Sequence, residues 1–261
     1  MDNRPPVRKL SRQPPKTVVR TKAIRLNRLL SGVDGESSYL EIGLGTGKTF
    51  ENIRATQRWG VDPEIRFDTE NLPTGVRVFK VSSDSFFREL PQSELFDLIY
   101  VDGLHTFDQT LRDINNALKH LAPKGMILID DTLPVTRWSA WRNQRLSNSL
   151  SCLRGDNSGR WYGDVFRVIP LLRSHFPDTQ FVTIVQDDRG APAHGQTILW
   201  RTSNRGSHVR VSEARLFLYR FFTFNALPGS VDFVKRYSGR READAIDYAT
   251  AQAAVTTVGK S

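Results

Sequence analysis

The feature that most constrains the fold is the passage from Ser38 to Gly47. Ser38-Tyr39-Leu40-Glu41-Ile42 is a short apolar strand, and Gly43-Leu44-Gly45-Thr46-Gly47 follows it without a spacer. Three glycines at alternating positions give a backbone that can turn sharply and approach another group closely, because no Cβ stands in the way. In open α/β sheets such a turn brings backbone to a ligand beyond the strand ends. The organisation recurs downstream. Arg58-Trp59-Gly60-Val61 ends in Asp62-Pro63, and Val76 to Val81 ends at Ser82-Ser83-Asp84. Phe96 to Val101 ends in Asp102-Gly103-Leu104-His105, and Met126 to Ile129 ends at Asp130-Asp131. Helical patterns separate these strands: Lys48 to Ala55, a stretch containing Phe86, Phe87 and Leu90, and Phe107 to Leu121 with Leu111, Ile114, Leu118 and Leu121 on one face.

Alternating strands and helices with short turns predict an α/β fold, a Rossmann-like seven-stranded, mostly parallel sheet with helices on both faces. A terminal antiparallel hairpin, Gln180 to Val185 against Gly195 to Trp200, completes it, reached through a helix from Gly163 to His175 that Pro170 is expected to kink. Thr17 to Leu30 reads as an amphipathic helix placed over the entrance of a ligand site. The expected organisation is a basic flexible arm over 1–16, the α/β domain over 17–211 with an insertion or lid at about 134–162, and a C-terminal helical extension over 212–261. The aromatic stretch Leu216 to Phe224 of that extension suits packing on the domain or on a second copy in a homo-oligomer, and Ala249 to Ser261 reads as weakly structured.

Charge and cysteine content narrow the partners. The formal net charge is +9, but it is concentrated in Arg4, Arg8, Lys9, Arg12, Lys16, Arg20, Lys22, Arg25 and Arg28, opposed only by Asp2. Such a run is read as a solvated tail before a dedicated nucleic-acid element. The single cysteine, Cys152, excludes an intrachain disulfide framework and a cysteine metal site. No apolar run approaches the roughly 20 residues of a membrane span, and the basic start lacks the apolar stretch of a signal peptide, so a cytoplasmic location is expected.

The glycine turn fits one of three nucleotide-binding patterns. A P-loop needs glycine where Ile42 stands, and a dinucleotide fingerprint starting at Gly43 needs glycine where Lys48 stands. What remains, Glu41-x-Gly43-x-Gly45-x-Gly47, resembles motif I of class I S-adenosylmethionine-dependent methyltransferases. The resemblance implies that the turn passes the methionine portion of the cofactor, with Glu41 holding the turn or the cofactor's amino-acid end. Asp62 would accept the ribose hydroxyls, and Ser83 with Asp84 would meet the adenine. The plainer reading is a glycine-rich turn in another Rossmann-like protein.

From Ile99 to Leu133 the sequence is similar to a group of bacterial small-molecule methyltransferases, among them macrolide sugar O-methyltransferases. In these a strand ends in Asp-Gly-x-His and the next ends in an acidic pair. Some members use the first Asp and the acidic pair as Mg²⁺ ligands and the His as general base. Carried over, the resemblance implies Asp102, Asp130 and Asp131 as metal ligands, Asp102 also beside the cofactor, and His105 as catalytic base. Clustered carboxylates suit a divalent cation because they repel when unpaired. Asp130 departs from members with Glu there. The plainer alternatives are a helix cap for Asp102, a satisfied polar residue for His105 and a metal-free turn for the acidic pair. His120, His175, His194 and His208 read as surface or packing residues.

The leading expectation is O-methylation of a small hydroxylated acceptor, a sugar or natural product. An RNA methyltransferase is the second reading, favoured by the basic arm and by Trp138, Trp141 and Trp161 among arginines. Against it, no Asn-Pro-Pro-Tyr-like tetrad follows the fourth strand. The third is a non-catalytic binding subunit that keeps the fold.

Overall fold

The computed structural model describes residues 16–134, 136, 138–153, 160–186, 192–202, 219 and 239–255, with the side chains of 16–20, 186, 192–194 and 255 excepted. The arm before residue 16, the stretch 216–224 except Tyr219, the side chain of His194 and all of His208 lie outside the described residues.

The chain opens with α1 (Lys16–Leu30) and β1 (Ser38–Ile42). It continues through β2 (Gln57–Val61), β3 (Val76–Phe79), α2 (Ser83–Glu89), β4 (Phe96–Val101), α3 (Phe107–Lys119) and β5 (Leu121–Leu133). Then follow α4 (Gln144–Leu153), α5 (Val168–His175), the hairpin β6 (Thr179–Gln186) and β7 (Pro192–Arg201), β8 (Gly239–Arg241) and α6 (Glu242–Val255). The strands form one sheet in the order β3-β2-β1-β4-β5-β7-β6-β8. Only β7 runs antiparallel to its neighbours. The order reverses between β1 and β4, which makes the space beyond those strand ends the expected ligand crevice of an open α/β sheet.

Side chains alternate across each strand and feed two cores. On one face Leu40, Ile42, Ile99, Val101, Ile127 and Ile129 pack against α2, α3 and α5. On the other, Tyr39, Leu98, Tyr100, Leu128 and Trp200 meet Leu26 and Leu29 of α1 and Ala245, Ile246, Ala249 and Ala253 of α6. Thus α1 and α6 share a face, and α1 crosses it near the ends of β4 and β5.

Four local expectations are corrected. The sheet has eight strands, not seven: Gly239-Arg240-Arg241 pairs parallel to β6. Three residues without apolar alternation carry no strand signal. Ala249 to Val255 are helical rather than weakly structured, because α6 is alanine-rich and buries small side chains against the sheet. The helix expected over Lys48 to Ala55 is one 3₁₀ turn, Phe50–Asn52. The guanidinium of Arg58 donates to the carbonyls of Phe50, Glu51 and Ile53 at 3.1, 3.1 and 2.9 Å, and Asn27 donates to that of Asn52 at 2.9 Å. Those carbonyls therefore have partners without a longer helix. Finally, Pro170 does not fall inside a longer helix: it is the third residue of α5, within the first turn that tolerates proline, after a 3₁₀ turn at Val165–Arg167.

Candidate active site

The glycine turn is stitched between two strands, Gly43 N donating to Val61 O at 2.9 Å and Asp102 N to Ile42 O at 2.8 Å. Gly43, Gly45 and Gly47 have φ of 90°, 53° and 74°, the left-handed region that glycine alone enters freely. Their surroundings differ. A Cβ on Gly43 would stand 2.2 Å from the Asp102 carbonyl, and one on Gly47 would stand 2.6 Å from the Phe67 ring. A Cβ on Gly45 would meet nothing within 4 Å. Gly43 and Gly47 are thus fixed by packing, while Gly45 presents bare backbone to open space. Asp62 closes the turn from β2: Oδ2 accepts from the N–H groups of Leu44 and Gly45 at 2.8 and 3.0 Å, and Oδ1 from that of Glu64 at 2.7 Å.

Glu41 is buried beneath the turn and accepts from the Tyr39 hydroxyl at 2.6 Å. Burial pushes its carboxyl up to about 8, against the pull of that hydrogen bond. Farther along the strand ends, Gln109 of α3 donates to the Ser83 hydroxyl at 3.1 Å and to Asp84 at 3.2 Å, and Arg112 lies 3.3 Å from Asp84.

The acidic residues just after β4 and in the last part of β5 separate into two groups, because adjacent strand residues face opposite sides of a sheet. Asp130 joins the α1 face with a side chain 1 % exposed. Its Oδ2 accepts from Lys22 of α1 and from the Tyr100 hydroxyl, the latter at 2.8 Å, and its Oδ1 accepts from Gln196 at 2.9 Å. Burial opposes its charge, but Lys22 and the other donors outweigh burial and hold it well below the usual carboxylate range. Asp102 Oδ2 shares the Lys22 ammonium at 2.9 Å and the Tyr100 hydroxyl at 3.1 Å. Burial raises the carboxyl of Asp102, and Lys22 does not bring it back down. One turn along α1, Arg25 donates to Gln196 and, at 2.7 Å, to Glu242 of α6.

Asp131 turns the other way. Its φ of 58° is the sole positive value among described non-glycine residues, at a register shift between β5 and β7. Aspartate tolerates that conformation better than most residues. Its carboxylate lies 2.7 Å from His105 Nδ1, while His105 Nε2 is 3.9 Å from Asp102 Oδ1. Burial works against charge on His105, but Asp131, with Asp102 and Asp130 behind it, pushes the imidazole up to about 9. One ligand atom each of Asp102, His105 and Asp131 lie within 4.8 Å of one another. Asp130 is not in that group.

The return of the expected lid forms a wall of this site. The Trp161 ring stacks on His105 at 4.9 Å between centroids and 4° between planes, with its indole N–H on the Trp141 carbonyl at 2.6 Å. Gly163, with φ 62°, lies so close to the His105 carbonyl that a Cβ would stand 1.8 Å from it. Asp164 then accepts the N–H of Phe107 at 2.7 Å. Residues 161–164 are therefore fixed against the His105 loop.

Residues 17–132 match the model of a family described as a methyltransferase domain. Over this segment the chain is similar to a methyltransferase domain. The segment contains both the glycine turn and the Asp102 to Asp131 cluster, so the resemblance read from the sequence is borne out on the residues that carried it. No curated protein matches the chain. Among solved structures it is similar to the O-methyltransferase from Bacillus cereus in complex with SAH, at 16% identity over 69% of this chain and 80% of that one, TM-score 0.45. It is also similar to the O-methyltransferase TomG from Streptomyces achromogenes, at 14% identity over 70% and 79%, TM-score 0.41. A third is the N-methyltransferase NodS from Bradyrhizobium japonicum, at 20% identity over 72% and 96%, TM-score 0.41.

The sequence reading missed Lys22, Tyr100, Gln196 and Asp164. Lys22 was visible only as one charge in a basic run. Tyr100 and Gln196 sat inside strands that read as apolar, where a polar residue on the Asp130 face was the available signal.

Proposed function

We propose that this chain is an S-adenosylmethionine-dependent O-methyltransferase acting on a small hydroxylated acceptor. The reading is carried by His105, held by Asp131 through Nδ1 at the end of the sheet that bears the glycine turn. The open side of Gly45 and the neighbouring Asp62 carboxylate suit the cofactor there. The ribose hydroxyls fall to Asp62, whose oxygens keep acceptor capacity beyond their backbone bonds, and the adenine edge to Ser83 and Asp84.

When bound, the cofactor supplies an electrophilic sulfonium methyl group. The chain's own residues prepare the acceptor. With Nδ1–H donated to Asp131, the neutral imidazole turns the Nε2 lone pair toward the site, and Asp131 stabilises the imidazolium that forms when the acceptor hydroxyl gives up its proton. The elevated affinity of His105 for a proton makes it a strong base whose neutral form is the minority near pH 7. Trp161 covers one face of the ring and narrows the access of water. The resemblance also implies Mg²⁺ on Asp102, Asp130 and Asp131. That donor set does not fit, because Asp130 is sealed by Lys22, Tyr100 and Gln196, and no step is assigned to the metal.

The test has two parts. Titration of S-adenosylmethionine into wild type and Asp62→Asn, followed by heat release, should give saturable binding that the variant weakens. Transfer of labelled methyl to a panel of sugars and phenols should then occur with wild type and fail with His105→Gln, cofactor binding being retained. Binding without transfer to any acceptor would favour the non-catalytic reading, and no binding would end the proposal. The RNA reading receives less support, since Lys22 and Arg25 are committed within the fold and Trp161 is stacked on His105.

A further inference from the structure

The acidic cluster at the ends of β4 and β5 holds a cation supplied by the chain. The Lys22 ammonium lies 2.9 Å from Asp102 Oδ2, closer still to Asp130 Oδ2, and 5.9 Å from the centroid of the Tyr100 ring between them. A divalent ion bridging these two carboxylates needs their oxygens at about 2.0–2.6 Å from a common centre, and the ammonium takes that place. It is also held there. Arg25, three residues on, is anchored to Gln196 and Glu242 with a side chain 2 % exposed, so the helix that carries Lys22 is fixed at its inner face.

We infer that Lys22 is the resident cation of this cluster, neutralising Asp102 and Asp130 in place of a divalent metal. The two carboxylates and the tyrosine hydroxyl form a closed set around it: Asp130 has Lys22 and Tyr100 on one oxygen and Gln196 on the other. A hard dication would have to break these bonds and leave a displaced ammonium beside it. The grouping that remains, Asp102 with His105 and Asp131, offers an imidazole already bonded to one of its carboxylates, a poorer match for Mg²⁺ than oxygen ligands alone. The inference bears on the proposed methyl transfer in one respect. An ammonium balances charge but does not activate a hydroxyl as a metal does, so deprotonation rests on His105.

The test is Mn²⁺ and Mg²⁺ binding to the full chain, with no acceptor or turnover required. Loss of the free Mn²⁺ electron paramagnetic resonance signal and the Mg²⁺ dependence of thermal unfolding are measured for wild type, Lys22→Met and Lys22→Arg. Wild type and Lys22→Arg should take up no stoichiometric metal, whereas Lys22→Met should gain a saturable site at least roughly tenfold tighter than any residual wild-type binding and become stabilised by Mg²⁺. Tight one-to-one Mn²⁺ binding by wild type would overturn the inference, as would a folded Lys22→Met that gains nothing. Should Lys22→Met not fold, Lys22→Gln, which keeps a donor toward Asp130, replaces it, and the wild-type titration needs no variant. S-adenosylmethionine binding is measured on the same samples, so failure of the methyltransferase reading shows separately.

Discussion

The Asp164 carboxylate accepts the backbone N–H of Phe107 at 2.7 Å, across 57 residues of sequence. Phe107 begins α3, and Thr106 before it makes no side-chain cap. A distant residue thus does the work of an N-cap, and ties the segment around Gly163 to the loop that carries His105. Asp164→Ala is expected to cost about 1–2 kcal/mol in urea unfolding. Asp164→Asn, which keeps an acceptor oxygen, should recover most of that. Equal losses in both variants would show that the charge, not the cap, is what matters.

Glu41 gives a pH-dependent stability whose sign is fixed. Its carboxyl rises from an ordinary value near 4.5 to about 8 on folding because it is buried. Between those values the native state holds a proton that the unfolded chain has released, so stability falls as pH rises and levels off above about 8. Glu41→Gln keeps an acceptor for Tyr39 without the ionisation. Its stability relative to wild type should therefore grow from pH 5 to pH 8 by on the order of a few kcal/mol. Parallel curves for the two proteins over that range would contradict the burial argument.

Gly43 and Gly45 share a backbone region but not an environment. Gly45→Ala should cost about 1–2 kcal/mol for its positive φ, with a larger effect on S-adenosylmethionine affinity than on stability. Gly43→Ala adds a clash with the Asp102 carbonyl that backbone must relieve, and should destabilise severely. Thermal unfolding and cofactor titration on both variants separate the two effects.

Arg25 and Glu242 form an ion pair with side chains 2 % and 6 % exposed. Removing one partner strands a buried charge, and Glu242→Ala is expected to lose roughly 3–5 kcal/mol. A double-mutant cycle with Arg25→Met should show strong coupling, the double variant being less damaged than the two singles summed. Additive losses would mean that the pair contributes little beyond packing.

Much of the fold was legible because its signals are local. Ser38 to Ile42, the three turn glycines and the helix faces of α3 follow from short-range pattern, and the strand-end positions of Asp62 and Asp102 follow from the order of the strands, whereas β5 runs past Asp130 to Leu133. What was illegible depends on long-range contact. Nothing near Gly239-Arg240-Arg241 announces a strand, since only the edge of β6 makes it one. Asp130 and Asp131 read as a pair converging on one rim, yet β5 sends them to different partners, Lys22 for one and His105 for the other. Lys22 itself cannot be distinguished from its basic neighbours until α1 is laid across the sheet.

The anchoring of α1 also bears on synthesis. Its buried arginine waits for Gln196 and then for Glu242, the latter 217 residues later in the chain. At about 5–20 residues per second that is a delay on the order of 10–40 s. Through that interval the helix has left the ribosome with Leu26 and Leu29 not yet covered by α6. Leu26 and Leu29 of α1 thus gain their full cover only once α6 has been made.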